Sequence, residues 1–168
     1  ILFSTVMPDV AERALRSLRF ANQQISHVVH LLRTWKTLGD EMRRALRTGR
    51  PPQHTLRRWA AQASRPAFPL LLRVAHAVFT SERASGRDAP TPSALRTLYK
   101  DGVRTAYRDP VAVADLAIDG DDLVAAGIAP GPGLGKILAA LLDAVLEDPS
   151  RNTRETLLAL ARQHGRGT

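Results

Sequence analysis

The sequence predicts an all-α fold, a helical bundle with a small C-terminal helical subdomain. Apolar residues recur at helical spacing along almost the whole chain. No segment has the alternating, β-branched pattern of a strand bounded by turns. With 168 residues, 44% of them hydrophobic, the chain has enough apolar side chains to bury a core. It contains no cysteine, which excludes disulfides, thiolate zinc sites and thiol catalysis.

The first three helices are separated by residues that stop or interrupt a helix. A first helix is predicted from Pro8 to Leu18. A second begins at Asn22 and ends or is interrupted at Gly39, so that a third, short helix follows it. Their apolar faces comprise Val10, Ala14, Leu15 and Leu18; Ile25, Val28, Val29, Leu32 and Trp35; and Met42, Ala45 and Leu46.

The centre of the bundle is expected in the helices that follow. Pro51 and Pro52 end the third helix and lead into a fourth. The strongly apolar segment from Leu70 to Phe79 is predicted to be a mostly buried helix. We expect Trp35 and Trp59 to be core residues, not platforms on which bases stack.

A linker is predicted at residues 86–92, because Gly and Pro are concentrated there. It would separate a first helical subdomain, residues 1–85, from a second, residues 93–168. The second subdomain should begin with a helix from about Ser93 to Tyr107. Shorter helices should follow that helix.

The net charge of +8 is unevenly distributed: residues 1–110 carry +11 and residues 111–168 carry −3. Such a field attracts polyanions and makes their binding salt-sensitive. Two basic sets stand out, Arg43, Arg44, Arg47, Arg50, Arg57 and Arg58, and then Arg96, Lys100, Arg104 and Arg108 at every fourth position. Tyr99 and Tyr107 lie beside the second set. Any one of these cations could simply belong to a solvated helix face, but as two sets they predict contact with RNA phosphates.

A glycine-rich turn precedes the longest apolar helix of the C-terminal part. Gly133, Gly135 and Lys136 place backbone amides and a cation at a helix N-terminus, which is competent to bind phosphate. Alternatively, the two glycines allow two helices to approach closely. The turn is not a nucleotide-binding P-loop, because Pro130 and Ile137 stand where that motif needs Gly and Ser or Thr.

Capping residues are expected at the short helices on either side of this turn. Asp119 or Asp121 can cap a short helix that Gly127 closes in a left-handed conformation. The two aspartates imitate the Asp-x-Asp spacing of a metal site, but we interpret them as part of a turn and cap. Asn152 and Glu155 approximate a capping box for the last helix.

Three segments together resemble the C-terminal segment of bacterial CCA-adding tRNA nucleotidyltransferases. They are residues 116–123 (Leu-Ala-Ile-Asp-Gly-Asp-Asp-Leu), 127–138 (Gly-Ile-Ala-Pro-Gly-Pro-Gly-Leu-Gly-Lys-Ile-Leu) and 146–155 (Leu-Glu-Asp-Pro-Ser-Arg-Asn-Thr-Arg-Glu). Residues 14–31 also resemble the helix pair that follows the HD-type motif in many of these enzymes. The resemblance implies an all-helical neck, body and tail that contact the acceptor and T arm of tRNA, in a cytoplasmic protein of the tRNA nucleotidyltransferase and poly(A) polymerase family.

The chemistry of that family resides in an N-terminal head with a Gly-Ser motif and paired aspartates that hold two Mg²⁺ ions. We identify none of these motifs in the sequence. The chain is therefore expected to be a fragment that binds and orients RNA, with no catalytic residue, metal ligand or cofactor of its own. The Mg²⁺ would belong to the head.

Two other functions are kept as alternatives. The chain could be a helical protein-interaction module whose basic face binds a protein partner. It could also be the remnant of an HD-type phosphohydrolase, although it has no His-Asp dipeptide and no carboxylate completes a site with His27 and His30. A membrane partner is not expected, because no apolar run approaches the roughly 20 residues that span a bilayer.

Overall fold

The computed structural model describes residues 7–165, which form eight α-helices and no strand. The helices are α1 (Pro8–Ser17), α2 (Asn22–Thr48), α3 (Gln53–Ala63), α4 (Phe68–Ala84), α5 (Pro92–Arg108), α6 (Gly120–Ala125), α7 (Gly133–Glu147) and α8 (Arg154–Gly165). Two 3₁₀ turns, Val113–Asp115 and Pro149–Arg151, lie in the C-terminal part. The predicted all-α class is confirmed. Within the described residues no helix is long and apolar enough to cross a membrane.

Helix α2 is one continuous helix of 27 residues. The prediction that it ends or is interrupted at Gly39, with a separate short helix after it, is therefore wrong. Gly39 is buried, and carbons of the Trp35 ring lie 3.1 Å from the place where a Cβ would stand. Trp35, one turn earlier on the same helix, fills the space beside Gly39, and Trp35, Leu38 and Met42 are buried in the larger core. This burial outweighs the low helix propensity of glycine, which is only about 1 kcal/mol below that of alanine.

Helix α1 packs along α2 without entering a core. None of its residues is buried, and Val10 and the following Leu18 are exposed. The apolar face predicted for this helix therefore does not become a buried face within the described residues.

The larger of two apolar cores is built by α2, α3, α4 and α5. Trp59, Phe68 and Phe79 are almost completely buried in it, and Trp35 also belongs to it, as predicted for both tryptophans. The indole Nε1 of Trp59 donates a hydrogen bond to Glu41 Oε1 at 2.9 Å, so its polar group is satisfied within the core. The predicted buried helix lies inside α4.

Helix α5 belongs to this larger core, whereas the sequence grouped it with the C-terminal subdomain. Leu95, Leu98 and Ala106 pack in the larger cluster. Gly102 faces α4 so closely that an added Cβ would lie 2.6 Å from Leu72 Cδ1. Residues 86–92 consequently connect two helices of the same core. Composition could not reveal this, because a connection between two packed helices can be as rich in Gly and Pro as one between two subdomains.

The smaller core joins α6, α7 and α8 around residues such as Leu141 and Leu157. Asp119 caps α6 as predicted, accepting hydrogen bonds from the amides of Asp121 and Asp122 at 3.0 Å. Gly127 closes α6 with φ of +89°, also as predicted.

Asn152 does not cap α8, and the capping box predicted there is wrong. Its Oδ1 accepts a hydrogen bond from the Ala117 amide at 2.8 Å, and its Nδ2 donates to the Asp115 carbonyl at 2.9 Å. Thr153 takes the capping place instead, since its Oγ1 accepts from the Thr156 amide at 3.3 Å. Asn152 therefore fastens the start of α8 to the segment that connects the two cores.

Candidate nucleic-acid interface

The first predicted basic set is largely engaged inside the protein, and Arg43 illustrates how. Its Nη1 and Nη2 donate to the two carboxylate oxygens of Glu82 at 2.6 Å and 3.0 Å. Its guanidinium also lies over the Phe79 ring, 4.8 Å from the centroid. The hydrogen bond from Arg43 lowers the pKa of Glu82, and in return raises the pKa of Arg43. Arg43 therefore holds α2 against α4.

Arg57 is still more deeply engaged, because its side chain is buried and only 7% of the residue is exposed. Its Nε donates to the Leu146 carbonyl at 2.6 Å and its Nη2 to the Glu147 carbonyl at 3.0 Å. Its Nη1 lies 3.3 Å from Asp109 Oδ2. The guanidinium thus satisfies two carbonyls in the last turn of α7, where a positive charge is favourable. Phosphate contact by Arg57 stays a prediction, and it would require the guanidinium to leave these partners.

Three other members of the first set have exposed side chains but also have carboxylate partners. The pairs are Arg47 with Asp88 at 3.2 Å, Arg50 with Asp101 at 2.8 Å, and Arg58 with Glu147 at 2.5 Å. The Arg47 and Arg58 pairs are exposed and contribute about 0 to 1 kcal/mol each, so a phosphate could displace their carboxylates. Arg50 differs, because its partner Asp101 is buried and would lose a donor. Arg44 is exposed, and within the described residues no carboxylate lies within 4.0 Å of its guanidinium.

The second set behaves differently. Arg96, Lys100, Arg104 and Arg108, called the α5 stripe below, are all exposed on the face of α5 that points away from the larger core. In the part of the chain that the structure describes, none of the four forms an ion pair with a carboxylate. Successive members are about 6 Å apart along the helix axis and about 40° apart around it, so the stripe extends over roughly 18 Å.

A shallow depression of about 460 Å³ lies within the α5 stripe. It is lined by Lys100, Val103, Arg104, Tyr107 and Arg108. Tyr107 is 60% exposed, whereas Tyr99 is half-buried and packs against the larger core. The sequence placed both tyrosines beside the stripe without distinguishing them.

The glycine-rich turn forms an open N-terminus on α7. Gly133 and Gly135 are exposed, and a Cβ at either position would meet no atom within 4 Å. The alternative that these glycines permit two helices to approach closely is thus contradicted. Lys136 is also exposed, and no side chain caps the helix start. The predicted phosphate contact at this turn stays a prediction.

The two histidines considered as metal ligands are not part of a metal-binding cluster. Among the described residues, no three His, Cys, Asp or Glu side chains are grouped so that they could hold an ion. His30 Nε2 lies 2.8 Å from the Ala63 carbonyl oxygen, and His27 is exposed. His30 thus contributes to the contact between α2 and α3.

Comparisons with known proteins concern the C-terminal part of the chain. Residues 105–161 match a family model described as tRNA nucleotidyltransferase domain 2. The CCA-adding enzyme of Limosilactobacillus fermentum is 45% identical over 47 residues, which is 28% of this chain and 12% of that enzyme. No solved structure matches the chain.

The matched residues have a clear place in the fold. They begin in the last turn of α5, include the whole of α6 and α7, and end within α8. They therefore contain the smaller core, the glycine-rich turn and Arg108 of the α5 stripe. Residues 105–161 are therefore similar to a region of tRNA nucleotidyltransferases, and the chain spans only a small part of the CCA-adding enzyme that it matches.

Proposed function

We propose that the chain is a non-catalytic, RNA-binding helical region that grips tRNA and positions its 3′ end for nucleotide addition by a separate head domain. The observation that carries the proposal is the α5 stripe, a row of four exposed cations without carboxylate partners in the described structure. It leads directly into the residues that match tRNA nucleotidyltransferases. The place of action would be the cytoplasm.

The proposed mechanism is recognition of shape and charge. The stripe would contact the sugar-phosphate backbone of the acceptor and T arm. A-form stems keep their base edges in a groove that side chains do not read, so folded shape would matter more than sequence. Holding the tRNA in one orientation would help a head domain, since correct placement of reactants removes part of the entropic barrier. The Mg²⁺ ions of the reaction would be bound by that head.

The contrast between the two basic sets supports the α5 stripe as the main contact. A cation that already has a carboxylate partner must give up that interaction to bind a phosphate, and Arg57 would leave two carbonyls without a donor. The four cations of the α5 stripe lose only bound water when they contact a phosphate. Arg44 and Lys136 are available for the same reason, and Arg47, Arg50 and Arg58 would be secondary contacts.

The proposal predicts that Arg104→Glu weakens binding of tRNA lacking its 3′ terminus by roughly tenfold or more, because a charged hydrogen bond is replaced by repulsion. The slope of log affinity against log salt should also become shallower, since each phosphate contact releases about 0.7 to 0.9 of a counterion. Binding is measured by fluorescence anisotropy at several salt concentrations. Arg162→Glu is the matched control, because Arg162 is exposed on α8, away from the stripe.

Equal affinities and equal salt slopes for the two variants, with helix content intact by circular dichroism, would contradict the proposal. They would favour a protein-interaction module instead. One observation supports that second candidate, namely that Met7, Val10, Leu18 and Phe20 are exposed around α1. Such apolar exposure is more typical of a surface that contacts protein than of one that contacts phosphate.

A further inference from the structure

Tyr107 has an unusual position for an aromatic residue of this chain. Among the described residues it is the most exposed aromatic side chain, at 60%, while the tryptophans and Phe68 and Phe79 are buried. It belongs to neither apolar core. Within the described part its hydroxyl has no hydrogen-bond partner. Neither core packing nor a hydrogen bond within the described residues therefore explains why position 107 has an aromatic side chain.

The surroundings of Tyr107 are cationic on the exposed side. Lys100, Arg104 and Arg108 line the same depression, and Val103, one turn before Tyr107, supplies its apolar floor. Residues three and four apart on a helix are surface neighbours, which agrees with Val103, Arg104 and Tyr107 lining one depression. An apolar ring face thus stands within a row of positive charges.

This combination has a known use in proteins that bind nucleic acid. Cations hold the backbone, and an exposed aromatic ring stacks on a base, which contributes about 1 to 3 kcal/mol per base. In a continuous stem both faces of each base are covered by neighbouring base pairs. An unpaired base in a loop or overhang has a face free to stack on protein, whereas a duplex offers a free face only at its two terminal base pairs.

We propose that Tyr107 is a stacking platform for an unpaired base of the RNA whose backbone contacts the α5 stripe. The inference rests on the proposed RNA-binding function and adds that the site distinguishes RNA with unpaired nucleotides from continuous duplex. The cations supply affinity for any RNA, and Tyr107 supplies the preference.

The test compares two RNAs with the same number of phosphates, a stem with an unpaired loop and a blunt duplex. Tyr107→Ala should weaken binding of the loop RNA by about 5- to 150-fold, the range that corresponds to one stacked base. Its effect on the duplex should be much smaller, because a duplex offers free base faces only at its two ends. Tyr107→Phe should bind both RNAs as the unmodified chain does, because the ring face is kept. A 2-aminopurine in the loop should be quenched on binding by the unmodified chain and by Tyr107→Phe, but not by Tyr107→Ala.

Arg104→Glu separates this inference from the proposed function. If that variant loses affinity for both RNAs while Tyr107→Ala binds both normally, the RNA-binding function stands and the stacking platform is overturned. Equal losses of affinity for the loop RNA and the duplex in Tyr107→Ala would also overturn the stacking platform.

If the unmodified chain shows no salt-sensitive RNA binding, the proposed function itself fails. An acidic peptide that competes with the loop RNA and depends on Tyr107 in the same way would assign the depression to a protein partner. Unchanged melting temperatures confirm that the variants are folded.

Discussion

At the scale of single residues, arginine serves two purposes in this chain. Arg43 and Arg57 hold helices together through carboxylates and carbonyls, whereas the α5 stripe leaves its charges exposed. The sequence treated all of them as one class of candidate. Sequence spacing cannot distinguish the structural arginines from the exposed ones, because the partners of Arg57 are 52 to 90 positions away in the chain. Helical spacing predicts which residues share a face but not what that face packs against.

Arg57 and Arg58 provide a test with adjacent residues of the same type. Arg57→Ala should lower the free energy of unfolding by about 3 to 5 kcal/mol, because it leaves the Leu146 and Glu147 carbonyls and Asp109 without their donor. Arg58→Ala removes only an exposed ion pair with Glu147 and should cost at most about 1 kcal/mol. Urea unfolding followed by circular dichroism measures both. Similar losses in the two variants would contradict the structural role given to Arg57.

At the scale of helices, the sequence predicts the contacts between residues that are close in the chain but not those between distant residues. The cap at Asp119 and the helix end at Gly127 depend on hydrogen bonds between residues only two to five positions apart. A short stretch of sequence therefore contains both partners of each bond. The cap predicted at Asn152 is wrong because the side chain of Asn152 binds Asp115 and Ala117, more than 30 positions earlier in the chain. Helix α2 does not end at Gly39, because Trp35, Leu38 and Met42 on either side of it are buried in the larger core.

Gly102 should be the position where α5 least tolerates a side chain. An added Cβ would lie 2.6 Å from Leu72 Cδ1 and 3.2 Å from Phe68 Cε1, both in the buried core. Relieving such overlap costs about 1 to 3 kcal/mol, which exceeds the gain of about 1 kcal/mol in helix propensity. We expect Gly102→Ala to lower the urea midpoint of unfolding.

Gly135→Ala is the control for Gly102→Ala, because Gly135 is also helical but has open space around it. This change should leave stability unaltered or raise it by up to about 1 kcal/mol. If both variants were stabilised equally, α4 and α5 would not approach as closely as the structure indicates.

At the scale of the whole molecule, the two cores meet at a polar junction. Asp115 accepts hydrogen bonds from the amides of Val111 and Ala112 at 2.8 Å and 2.9 Å, and from Arg65 at 2.5 Å. Asn152 binds the Asp115 carbonyl from the other side. A sequence can predict two groups of apolar helices, but the division between them is set by which faces pack. That division lies after α5, close to where the family match begins.

The Asp115 carboxylate should make stability depend on pH. Burial alone raises its pKa, but the two amides and Arg65 outweigh burial and hold the pKa of Asp115 below its ordinary value. A carboxyl group whose pKa is lower in the folded state stabilises the fold above its unfolded pKa of about 3.9. That contribution is lost as the pH falls through the lower, folded-state pKa.

Asp115→Asn should therefore lower the free energy of unfolding by about 1 to 3 kcal/mol near neutral pH, because a charge-assisted acceptor becomes a neutral one. The difference from the unmodified chain should shrink below about pH 4, as the native carboxylate becomes protonated in its turn. Urea unfolding at a series of pH values between about 7 and about 2.5 measures this difference in the free energy of unfolding.

Asp143→Asn controls for the loss of one charge, because it removes an exposed carboxylate without an ion pair among the described residues. A difference for Asp115→Asn that stays constant over the whole range would show that the hydrogen bonds at the junction do not depend on the charge of Asp115. The hydrogen bond from Arg65 would then be as strong with a neutral acceptor as with a charged one.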